Sequence, residues 1–308
     1  MGLPTETVYG LAARYDLPEA VARVYEAKAR PAFDPLIVHI ADRSDLEQVA
    51  RVEQPIPAAA LDALLARAWP GPLTVVLPRA PTVTDIVTAG LPTVAVRCPE
   101  HPVARSLISA AGPLVAPSAN RFGRISPTEA AHVEAELAGR VAMVLDGGRC
   151  RVGVESTIIG FDSAGRPVLH RPGGYPPEAI EAALGPLGRP VVGAVQAPGQ
   201  TPSHYAPLTP VQHVIWEALG PLDGTAALLQ VTGPVAPAIA AVHAAGAQVI
   251  ASISLSDGDR AEAAHGLFAA LRSLDAAGAD RILVEVPAWD SGIGHAIVDR
   301  LTRAAAPR

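Results

Sequence analysis

The 308-residue chain is poor in several residue types, and each scarcity argues against a class of protein. Its two cysteines, Cys98 and Cys150, fit neither a disulfide framework nor the spacing of metal ligands. We expect both thiols to be buried, in a protein of a reducing compartment. Aromatic residues are 4% of the chain and the net charge is -6, which argues against a protein that coats nucleic acid through bulk charge. A local basic cleft is still compatible with this balance.

Long apolar runs are missing as well. No stretch is long and apolar enough to predict a membrane span. The first residues, MGLPTETVYG, have neither the basic start nor the apolar segment of a signal peptide. Hydrophobic residues make up 49% and charged residues 18%, which is enough apolar material for a buried core. We therefore expect a folded cytoplasmic protein without membrane association.

Several signatures of catalysis are absent from the sequence. It contains neither the phosphate loop G-x-x-x-x-G-K-[ST] nor a strand-linked G-x-G-x-x-G fingerprint. No G-x-S-x-G nucleophile elbow occurs, and no group of His, Cys, Asp and Glu has the spacing of zinc ligands. We therefore predict neither a serine hydrolase nor a metal site built from protein side chains.

Patterns that are present divide the chain into three parts. Residues 1–184 predict an α/β domain with a mixed sheet, because short apolar runs alternate with helical patterns. Residues 185–211 are dominated by proline and glycine, which predicts an extended linker. Residues 212–308 predict a small three-layer α/β domain. The strands predicted in the first part span 35–41, 73–78, 93–99, 113–118, 142–148 and 156–161.

Lysine is the rarest of the charged residue types. Lys28 is the only one, and the other 23 of the 24 Lys+Arg residues are arginine. Lys28 stands two positions before Arg30, where Pro31 predicts the end of a helix. One interpretation is that a single lysine has persisted by chance, on a solvated helix face, in a chain that otherwise uses arginine. The alternative is a site that needs a compact ammonium, which the planar fork of arginine does not replace.

Four polar stretches stand where α/β proteins place ligand sites, at the ends of predicted strands. Their Lys, Arg, Ser, Thr and Asn donors suit the oxygens of phosphates and carboxylates. We therefore predict a site that positions anionic substrates and uses no covalent nucleophile. The stretches are PTETVYG (4–10), KARPAFDP (28–35), PSANRFGRISPT (117–128) and GVESTIIG (153–160).

The motifs together resemble a known enzyme family. LPTETVYGLAA, KARPAFDPLIVHI, WPGPLTVVL, VAVRCP, PSANRFGRISPT and VESTIIG, in this order, resemble the YrdC-type L-threonylcarbamoyladenylate synthases. SHYAP (203–207) and the following domain resemble the long, two-domain form. The resemblance implies a twisted open α/β sheet with a basic concave face. It also implies a helix and the rest of a strand ahead of PTETVYG, which here follows only Met1 to Leu3.

The resemblance implies an enzyme that joins L-threonine, bicarbonate and ATP into threonylcarbamoyl-AMP and releases pyrophosphate. Mg²⁺ would assist as the ion that accompanies ATP. The product would pass to the tRNA threonylcarbamoyl transferase machinery, as the precursor of threonylcarbamoyladenosine. Whether the chain binds tRNA directly is not decided by the resemblance. Two alternatives are a related carbamoyl-adenylate transferase and a non-catalytic RNA-binding module.

The site residues also follow from the resemblance. Lys28 and Arg30 would be the catalytic residues, with Lys28 a mobile ammonium beside the polyphosphate. Taken alone, His39 is compatible with a core histidine, and Arg97 needs either a ligand carboxylate or a partner acid. The implied threonine contacts are Thr7, His39, Arg97, Ala116 and Ser156. The implied ATP contacts are Arg30, Asp34, Thr93, Ser118, Asn120, Ser126, Arg171 and Tyr205.

Two of these positions raise further expectations. Asp34 stands where the resemblance implies asparagine, and a carboxylate there would repel phosphate unless a metal or an arginine offsets it. Tyr205 lies in the proline-rich linker, which loses little conformational freedom when it is ordered over a ligand. We therefore predict that the linker acts as a lid and that Tyr205 contacts ATP or the product.

Overall fold

The computed structural model describes residues 1–190 and 204–307. These residues form two compact units. The first unit comprises 1–122 and 127–190, and the second comprises 123–126 and 204–307. Residues 191–203 of the predicted linker lie outside the described residues, so the linker stays a prediction over that stretch.

A mixed sheet forms the centre of the first unit. Its strand order is β3-β7-β4-β6-β5-β8-β9, and β1 and β2 form a separate antiparallel pair. Within the large sheet, β4 and β6 are parallel, as are β5 and β8, while the remaining pairs are antiparallel. The predicted mixed α/β sheet is confirmed. The strands are β1 (Gly2–Leu3), β2 (Gly10–Leu11), β3 (Ala13–Arg14), β4 (Ile37–His39), β5 (Leu73–Pro78), β6 (Thr93–Arg97), β7 (Leu114–Val115), β8 (Thr157–Phe161) and β9 (Pro167–Arg171).

The helices of the first unit begin and end at sequence signals. The helix that carries Lys28 has proline and Glu19 in its first turn and ends at Lys28. Ala29 follows in a left-handed conformation with φ 49°. The predicted helix end before Pro31 is therefore confirmed. The helices are α1 (Pro18–Lys28), α2 (Leu46–Val49), α3 (Ala58–Ala68), α4 (Asp85–Thr88), α5 (Pro102–Ala111), α6 (Ala130–Leu137) and α7 (Pro177–Leu184).

One strand prediction is wrong. Residues 142–148 make only an isolated bridge, between Val144 and Gly2, with hydrogen bonds from Gly2 to Met143 and from Leu145 to Gly2. An apolar run becomes a strand only where a partner strand is available along its length, and β1 is two residues long.

Alternation along the strands separates a core face from a site face. Val38, Val75 and Val96 belong to the main hydrophobic core, together with apolar residues of α1 and α3. The neighbours of these valines, such as Thr74 and Arg97, point to the opposite face because side chains alternate along a strand. This second face carries the polar residues described below.

The second unit has a parallel sheet of its own. The strand order is β10-β13-β11-β12. Its core includes the fully buried Leu228, Val242 and Leu283. The predicted C-terminal α/β domain with a separate sheet is confirmed. Its elements are β10 (Val211–His213), β11 (Thr225–Gln230), β12 (Gln248–Ser254), β13 (Arg281–Val284), α8 (Ala236–Ala245), α9 (Arg260–Ala276) and α10 (Gly292–Ala304).

No helix within the described ranges combines the length and the apolar character needed to cross a membrane.

Candidate active site

A row of five side chains, four of them polar, crosses the sheet of the first unit, and we call it the polar row. His39 of β4 lies opposite Arg97 of β6, and Arg97 lies opposite Thr74 of β5. Thr74 in turn pairs with Ile158 of β8, which pairs with Arg171 of β9. Paired residues of neighbouring strands project from the same face of a sheet. The registers therefore bring residues that are far apart in sequence into one line, and every member of this line is buried.

Arg97 is held by an acid that the sequence analysis did not name. Its Nη2 lies 2.6 Å from Oε1 of Glu6, and its Nη1 donates to Oγ1 of Thr7 at 2.8 Å. Its Nε donates to the carbonyl of Gly71 at 3.2 Å. The other carboxylate oxygen of Glu6 accepts from the backbone N–H of Glu100 at 3.1 Å. Buried Arg97 thus has Glu6 as a partner acid that offsets its charge. A partner acid was one of the two alternatives for Arg97, and a ligand carboxylate was the other.

The turn that follows β1 presents Thr7 to Arg97. Thr5 donates its hydroxyl to the carbonyl of Val8 at 2.6 Å, and the Thr5 and Thr7 hydroxyl oxygens are 2.9 Å apart. Short polar side chains that bond to nearby backbone groups are typical of such turns. The PTETVYG stretch therefore folds on itself and fixes the direction of the Thr7 hydroxyl.

His39 is a neutral side chain in this environment. Burial lowers the pKa of its imidazole to about 3, and the nearby positive charge of Arg97 acts in the same direction. Its Nδ1 is 3.2 Å from the carbonyl of Ile37. Because a carbonyl only accepts, Nδ1 carries the proton of the neutral ring. The Nε2 atom of His39 is therefore the acceptor.

Ser156 is fixed from two sides. Its hydroxyl oxygen lies 2.7 Å from Oγ1 of Thr74. Arg171 donates to the carbonyl of Ser156 from Nε at 3.2 Å and from Nη2 at 3.0 Å. Arg171 therefore holds the backbone of Ser156, which precedes β8. The hydroxyl of Ser156 lies next to Thr74 of the polar row.

Lys28 is buried, with 1% of its surface exposed. Its ammonium donates to the carbonyls of Ser118 and Asn120, the latter at 2.6 Å. Burial lowers the pKa of Lys28 well below its usual value, and the charge of Arg30 lowers it further. In this conformation the ammonium is held by the loop that carries Ser118 and Asn120, and the mobility expected of Lys28 beside a polyphosphate stays a prediction.

Arg30 and Asp34 form a second buried group. Nη2 of Arg30 lies 2.9 Å from Oδ2 of Asp34 and 2.8 Å from the carbonyl of Pro35. Oδ1 of Asp34 has no hydrogen-bond partner among the described residues. Burial raises the pKa of Asp34, and the charges of Arg30, Lys28 and Arg171 oppose that rise. An arginine, one of the two groups that could offset this carboxylate, is therefore present beside it.

Thr93 and Ala116 occupy different parts of the first unit's sheet. Thr93 begins β6 and lines a cavity of about 320 Å³ together with Val76 and His170. Ala116 follows β7, and its backbone N–H donates to the carbonyl of Ile37 at 3.1 Å. A side chain on Gly10 would come within 2.9 Å of the Ala116 Cβ, so the close approach of these two backbones requires glycine at position 10.

Ser126 and Tyr205 belong to the second unit. Tyr205 adopts φ 62° and is buried, with its ring stacked on Phe268 at 5.7 Å between centroids. The guanidinium of Arg300 lies 4.8 Å from the centre of the same ring. Helices α9 and α10 thus enclose the tyrosine. Its contact with ATP stays a prediction, as does the lid, whose residues 191–203 lie outside the described part of the chain.

Comparison with known proteins shows the family. Residues 1–173 match a family described as "Telomere recombination", and residues 176–306 match one described as "Threonylcarbamoyl-AMP synthase, C-terminal domain". The chain belongs to the threonylcarbamoyl-AMP synthase family. The predicted resemblance to the two-domain form of this family is confirmed, and so is the predicted class of enzyme.

Full-length relatives support the assignment. Threonylcarbamoyl-AMP synthase of Bacillus subtilis is 41% identical, with 100% of this chain and 90% of the relative covered. The enzyme of Schizosaccharomyces pombe is 37% identical, with 99% and 84% covered. Among solved structures, Pyrococcus abyssi Sua5 complexed with L-threonine superposes with a TM-score of 0.84. It is 38% identical and covers 99% of this chain and 89% of its own.

Two residues of this candidate site were missed from sequence. Glu6 is the only acid in PTETVYG and stands directly before Thr7, which was a usable signal. Thr74 lies inside an apolar strand, and only the strand register shows that it faces Arg97 and contacts Ser156. Ten of the predicted residues in the first unit fall into two groups, while Thr93 and Ala116 belong to neither. One group lies around the polar row (Thr7, His39, Arg97, Ser156, Arg171) and the other around Lys28 (Lys28, Arg30, Asp34, Ser118, Asn120).

Proposed function

We propose that this chain is an L-threonylcarbamoyl-AMP synthase, which forms threonylcarbamoyl-AMP and pyrophosphate from L-threonine, bicarbonate and ATP. The observation that carries the proposal is the polar row of His39, Thr74 and Arg97 on one face of the sheet. A threonine zwitterion needs acceptors for its ammonium and donors for its carboxylate, and this row offers both. The likeness to Pyrococcus abyssi Sua5 complexed with L-threonine supports the same assignment.

The reaction needs no protein nucleophile. The neutral amine of threonine attacks the carbon of bicarbonate, and loss of water gives a carbamate. A carbamate oxygen then attacks the α-phosphorus of ATP in line, and the bond to the bridging oxygen of pyrophosphate breaks. The protein contributes by holding the reactants in position and by matching the charge that develops. This agrees with a site rich in fixed donors.

Threonine would bind at the polar row. Nε2 of His39 can accept a hydrogen bond from the substrate amine or hydroxyl. With a pKa of about 3, the imidazole of His39 would orient the substrate amine but would be a weak base for the proton of that amine. The hydroxyls of Thr7 and Ser156 are already directed by Arg97 and Thr74, so little side-chain freedom is lost on binding.

ATP would bind beside the group of buried cations. Lys28, Arg30 and Arg171 all act on the carboxyl of Asp34, so positive charge exceeds negative charge there. An excess of positive charge in a buried site favours a polyphosphate. We propose that Lys28 acts on ATP chiefly by fixing the Ser118–Asn120 carbonyls, while Arg30 and Arg171 supply the nearby charge.

Mg²⁺ is part of the proposal as the ion that accompanies ATP. The described residues contain no group of three or more His, Cys, Asp or Glu that could hold an ion alone. Oδ1 of Asp34 is a buried carboxylate oxygen without a hydrogen bond among these residues, which fits one ligand of an ion otherwise bound by phosphates and water. The ion would supply charge neutralisation at the phosphates.

The downstream partner would be the machinery that transfers the threonylcarbamoyl group to tRNA. The cytoplasmic location inferred from the sequence stays a prediction. A related carbamoyl-adenylate transferase and a non-catalytic RNA-binding module are disfavoured, because relatives matched over both units are named threonylcarbamoyl-AMP synthases.

The test is pyrophosphate release by the purified full-length chain. We expect release from ATP and Mg²⁺ only when both L-threonine and bicarbonate are present. Serine and valine in place of threonine serve as controls, because each lacks one of the two γ-substituents. Release without an amino acid, or with ATP alone, would refute the proposed function.

A further inference from the structure

The WPGP segment, residues 69–72 of the first unit, joins α3 to β5 and supplies none of the predicted substrate contacts. It nevertheless lies against one of them. The carbonyl of Gly71 accepts from Nε of Arg97 at 3.2 Å, and the N–H of Gly71 donates to the carbonyl of Cys98 at 2.8 Å. Both backbone groups of Gly71 are therefore bonded to the end of β6, at Arg97 and at the residue after it.

Arg97 is the side chain that the Gly71 carbonyl orients. Its guanidinium carries five N–H groups, and three of them have protein acceptors, with Nε on Gly71, Nη1 on Thr7 and Nη2 on Glu6. One N–H of Nη1 and one of Nη2 are left without a partner among the described residues. Because the guanidinium is planar, the bond from Nε fixes the rotation of its plane. That bond therefore sets the direction of the two remaining donors.

Position 71 has room for glycine and for no other residue. A Cβ there would lie 2.5 Å from the carbonyl oxygen of Ala68, a backbone atom in the last turn of α3. The φ of Gly71 is outside the left-handed region, so glycine is needed here for space and not for conformation. An added side chain must therefore displace the backbone that bonds Arg97.

Trp69 closes the WPGP segment from inside the core. Its indole Nε1 donates to the carbonyl of Leu73 at 2.7 Å, across the three residues between them. The ring is 6% exposed and belongs to the main hydrophobic core. The backbone N–H of Trp69 also donates to the carbonyl of Leu65, which ends α3. Gly71 thus lies in a short loop with both ends fixed, and such a loop has little conformational freedom.

The next carbonyl of the segment holds the backbone beside a second predicted threonine contact. Pro72 accepts from the N–H of Thr157 at 2.9 Å, and Thr157 directly follows Ser156. Consecutive carbonyls of the WPGP segment are therefore bonded at Arg97 and next to Ser156. One fixed segment sets the positions of both residues.

We propose that Gly71 is a positioning residue for L-threonine, whose carbonyl sets the plane of the Arg97 guanidinium and so directs the two remaining N–H groups toward the substrate carboxylate. The inference rests on the proposed function and extends it from the residues that contact threonine to the segment that orients them. Gly71 itself does not touch the substrate. Displacement of Gly71 should weaken the use of threonine and leave the use of ATP nearly unchanged.

The kinetic test uses Gly71→Ala in the full-length chain. We expect the KM for threonine to rise roughly tenfold, as for the loss of one hydrogen bond from a charged group, with the KM for ATP within about twofold of wild type. Gly188→Ala is the matched control. Gly188 also donates to and accepts from backbone groups of the first unit, but a Cβ there would have its nearest neighbour at 3.5 Å. An unchanged KM for threonine, or equal rises in both KM values, would overturn the inference.

A second readout needs no substrate. In the ligand-free chain labelled with ¹⁵N-arginine, nuclear magnetic resonance detects the Nε–H of Arg97, which is assigned by its loss in Arg97→Gln. This N–H is buried and bonded to Gly71, so it should exchange slowly with water. We expect exchange about tenfold faster in Gly71→Ala and unchanged in Gly188→Ala. Equal exchange rates in wild type and Gly71→Ala would overturn the inference, whatever the kinetics.

The two readouts separate this inference from the proposed function. Suppose that the wild-type chain is inactive but that the Nε–H of Arg97 exchanges faster in Gly71→Ala. This result refutes the synthase proposal and retains the hold of Gly71 on Arg97. An active wild type with the same threonine KM in Gly71→Ala retains the synthase proposal and refutes the inference.

A second variant covers a failure to fold, which circular dichroism identifies. Should Gly71→Ala not fold, Trp69→Phe decides the question, because it keeps an aromatic ring in the core and removes the N–H that closes the WPGP segment. We expect the KM for threonine to rise about threefold. Trp216→Phe is its control, since the buried Nε1 of Trp216 has no partner in the described part of the chain. An unchanged threonine KM in Trp69→Phe would then overturn the inference.

Discussion

The buried ammonium of Lys28 donates to the main-chain carbonyl of Asn120 at 2.6 Å. A second bond reaches the carbonyl of Ser118. The only lysine of the chain thus ties the end of α1 to the loop that carries two predicted ATP contacts. A compact ammonium is suited to this place because it directs its donors to two closely spaced carbonyls, whereas a guanidinium is planar and larger.

Lys28→Arg should therefore impair the enzyme although it keeps the charge. We expect turnover to fall by about tenfold or more, since the loss of one buried hydrogen bond to a charged group costs roughly 1.5–3 kcal/mol. Pyrophosphate release gives the rate, and circular dichroism shows whether the fold is intact. Arg23→Lys, the reverse change at an exposed position of α1, is the control and should be neutral. A fully active Lys28→Arg variant would contradict this role.

The pair of Arg97 and Glu6 gives a prediction about substrate preference. Arg97→Gln should raise the KM for threonine about tenfold to a hundredfold, and the KM for ATP far less, because the change removes a charge-assisted bond to Thr7. Steady-state kinetics with each substrate varied in turn gives the comparison. Equal effects on both substrates would show that Arg97 serves the whole fold or the phosphates.

The Glu6→Gln variant tests whether Glu6 acts as the ion-pair partner of Arg97. Removing one member of a buried ion pair costs roughly 3–5 kcal/mol, because the other charge stays buried without its partner. If Glu6 acts only as the partner of Arg97, the double variant Glu6→Gln with Arg97→Gln should lose less free energy of unfolding than the two single variants lose together. Urea unfolding of the four proteins measures that coupling. Strict additivity would show that the two side chains are independent.

The buried histidine predicts how stability depends on pH. The pKa of His39 is about 3 in the folded chain, below the unfolded value near 6.5, so the unfolded state binds more protons between these values. The free energy of unfolding should therefore fall as the pH drops below about 6.5. The lowered pKa of His170, about 4, also makes the free energy of unfolding fall with falling pH. The raised pKa of Asp34 has the opposite effect at lower pH, because the folded state binds the proton of this carboxyl more tightly than the unfolded state does.

Urea unfolding at pH 7 and pH 5 measures this effect. The contribution of His39 between these two values is about 2 kcal/mol. His39→Gln should reduce the pH dependence by about that amount, and His243→Gln, at an exposed position, should leave it unchanged. The same slope in wild type and His39→Gln would contradict the buried, neutral state of this imidazole.

Asp34 makes the metal proposal testable. If Oδ1 of Asp34 is a ligand of the Mg²⁺ that accompanies ATP, Asp34→Asn should raise the Mg²⁺ concentration needed for half-maximal turnover about tenfold. It should not weaken the binding of ATP in the absence of Mg²⁺, because it removes a negative charge beside the phosphates. Titration calorimetry of ATP binding, with and without Mg²⁺, separates the effect on the ion from the effect on ATP. Identical Mg²⁺ dependence in both proteins would remove Asp34 from the proposed ion site.

Local patterns were sufficient for most elements of the fold. The predicted strands at 73–78 and 93–99 appear as β5 and β6, since their apolar runs have partners on both sides. The run at 142–148 begins with four apolar residues but has only β1 beside it, and it forms a single bridge. The availability of a partner strand is a tertiary property, which local sequence does not contain.

The site was only partly predictable for a related reason. Motif resemblance pointed to Lys28 and Arg97 but not to their surroundings, since a K-x-R spacing does not show that the ammonium is buried against two carbonyls. The partner of Arg97 depends on how the turn after β1 approaches β6. Whether Tyr205 contacts a nucleotide stays a prediction, although its burial against Phe268 and Arg300 is a tertiary feature that SHYAP did not indicate.

Isotope labelling of the product is the most direct test of the central claim. Incubation of the full-length chain with ATP, Mg²⁺, L-threonine and ¹³C-bicarbonate should yield threonylcarbamoyl-AMP with one added mass unit, detected by rapid quenching and mass spectrometry. The label reports that the carbamoyl carbon comes from bicarbonate, and the adenylate reports attack at the α-phosphorus. Formation of AMP and pyrophosphate without a labelled adenylate, under conditions where authentic threonylcarbamoyl-AMP survives, would contradict the account.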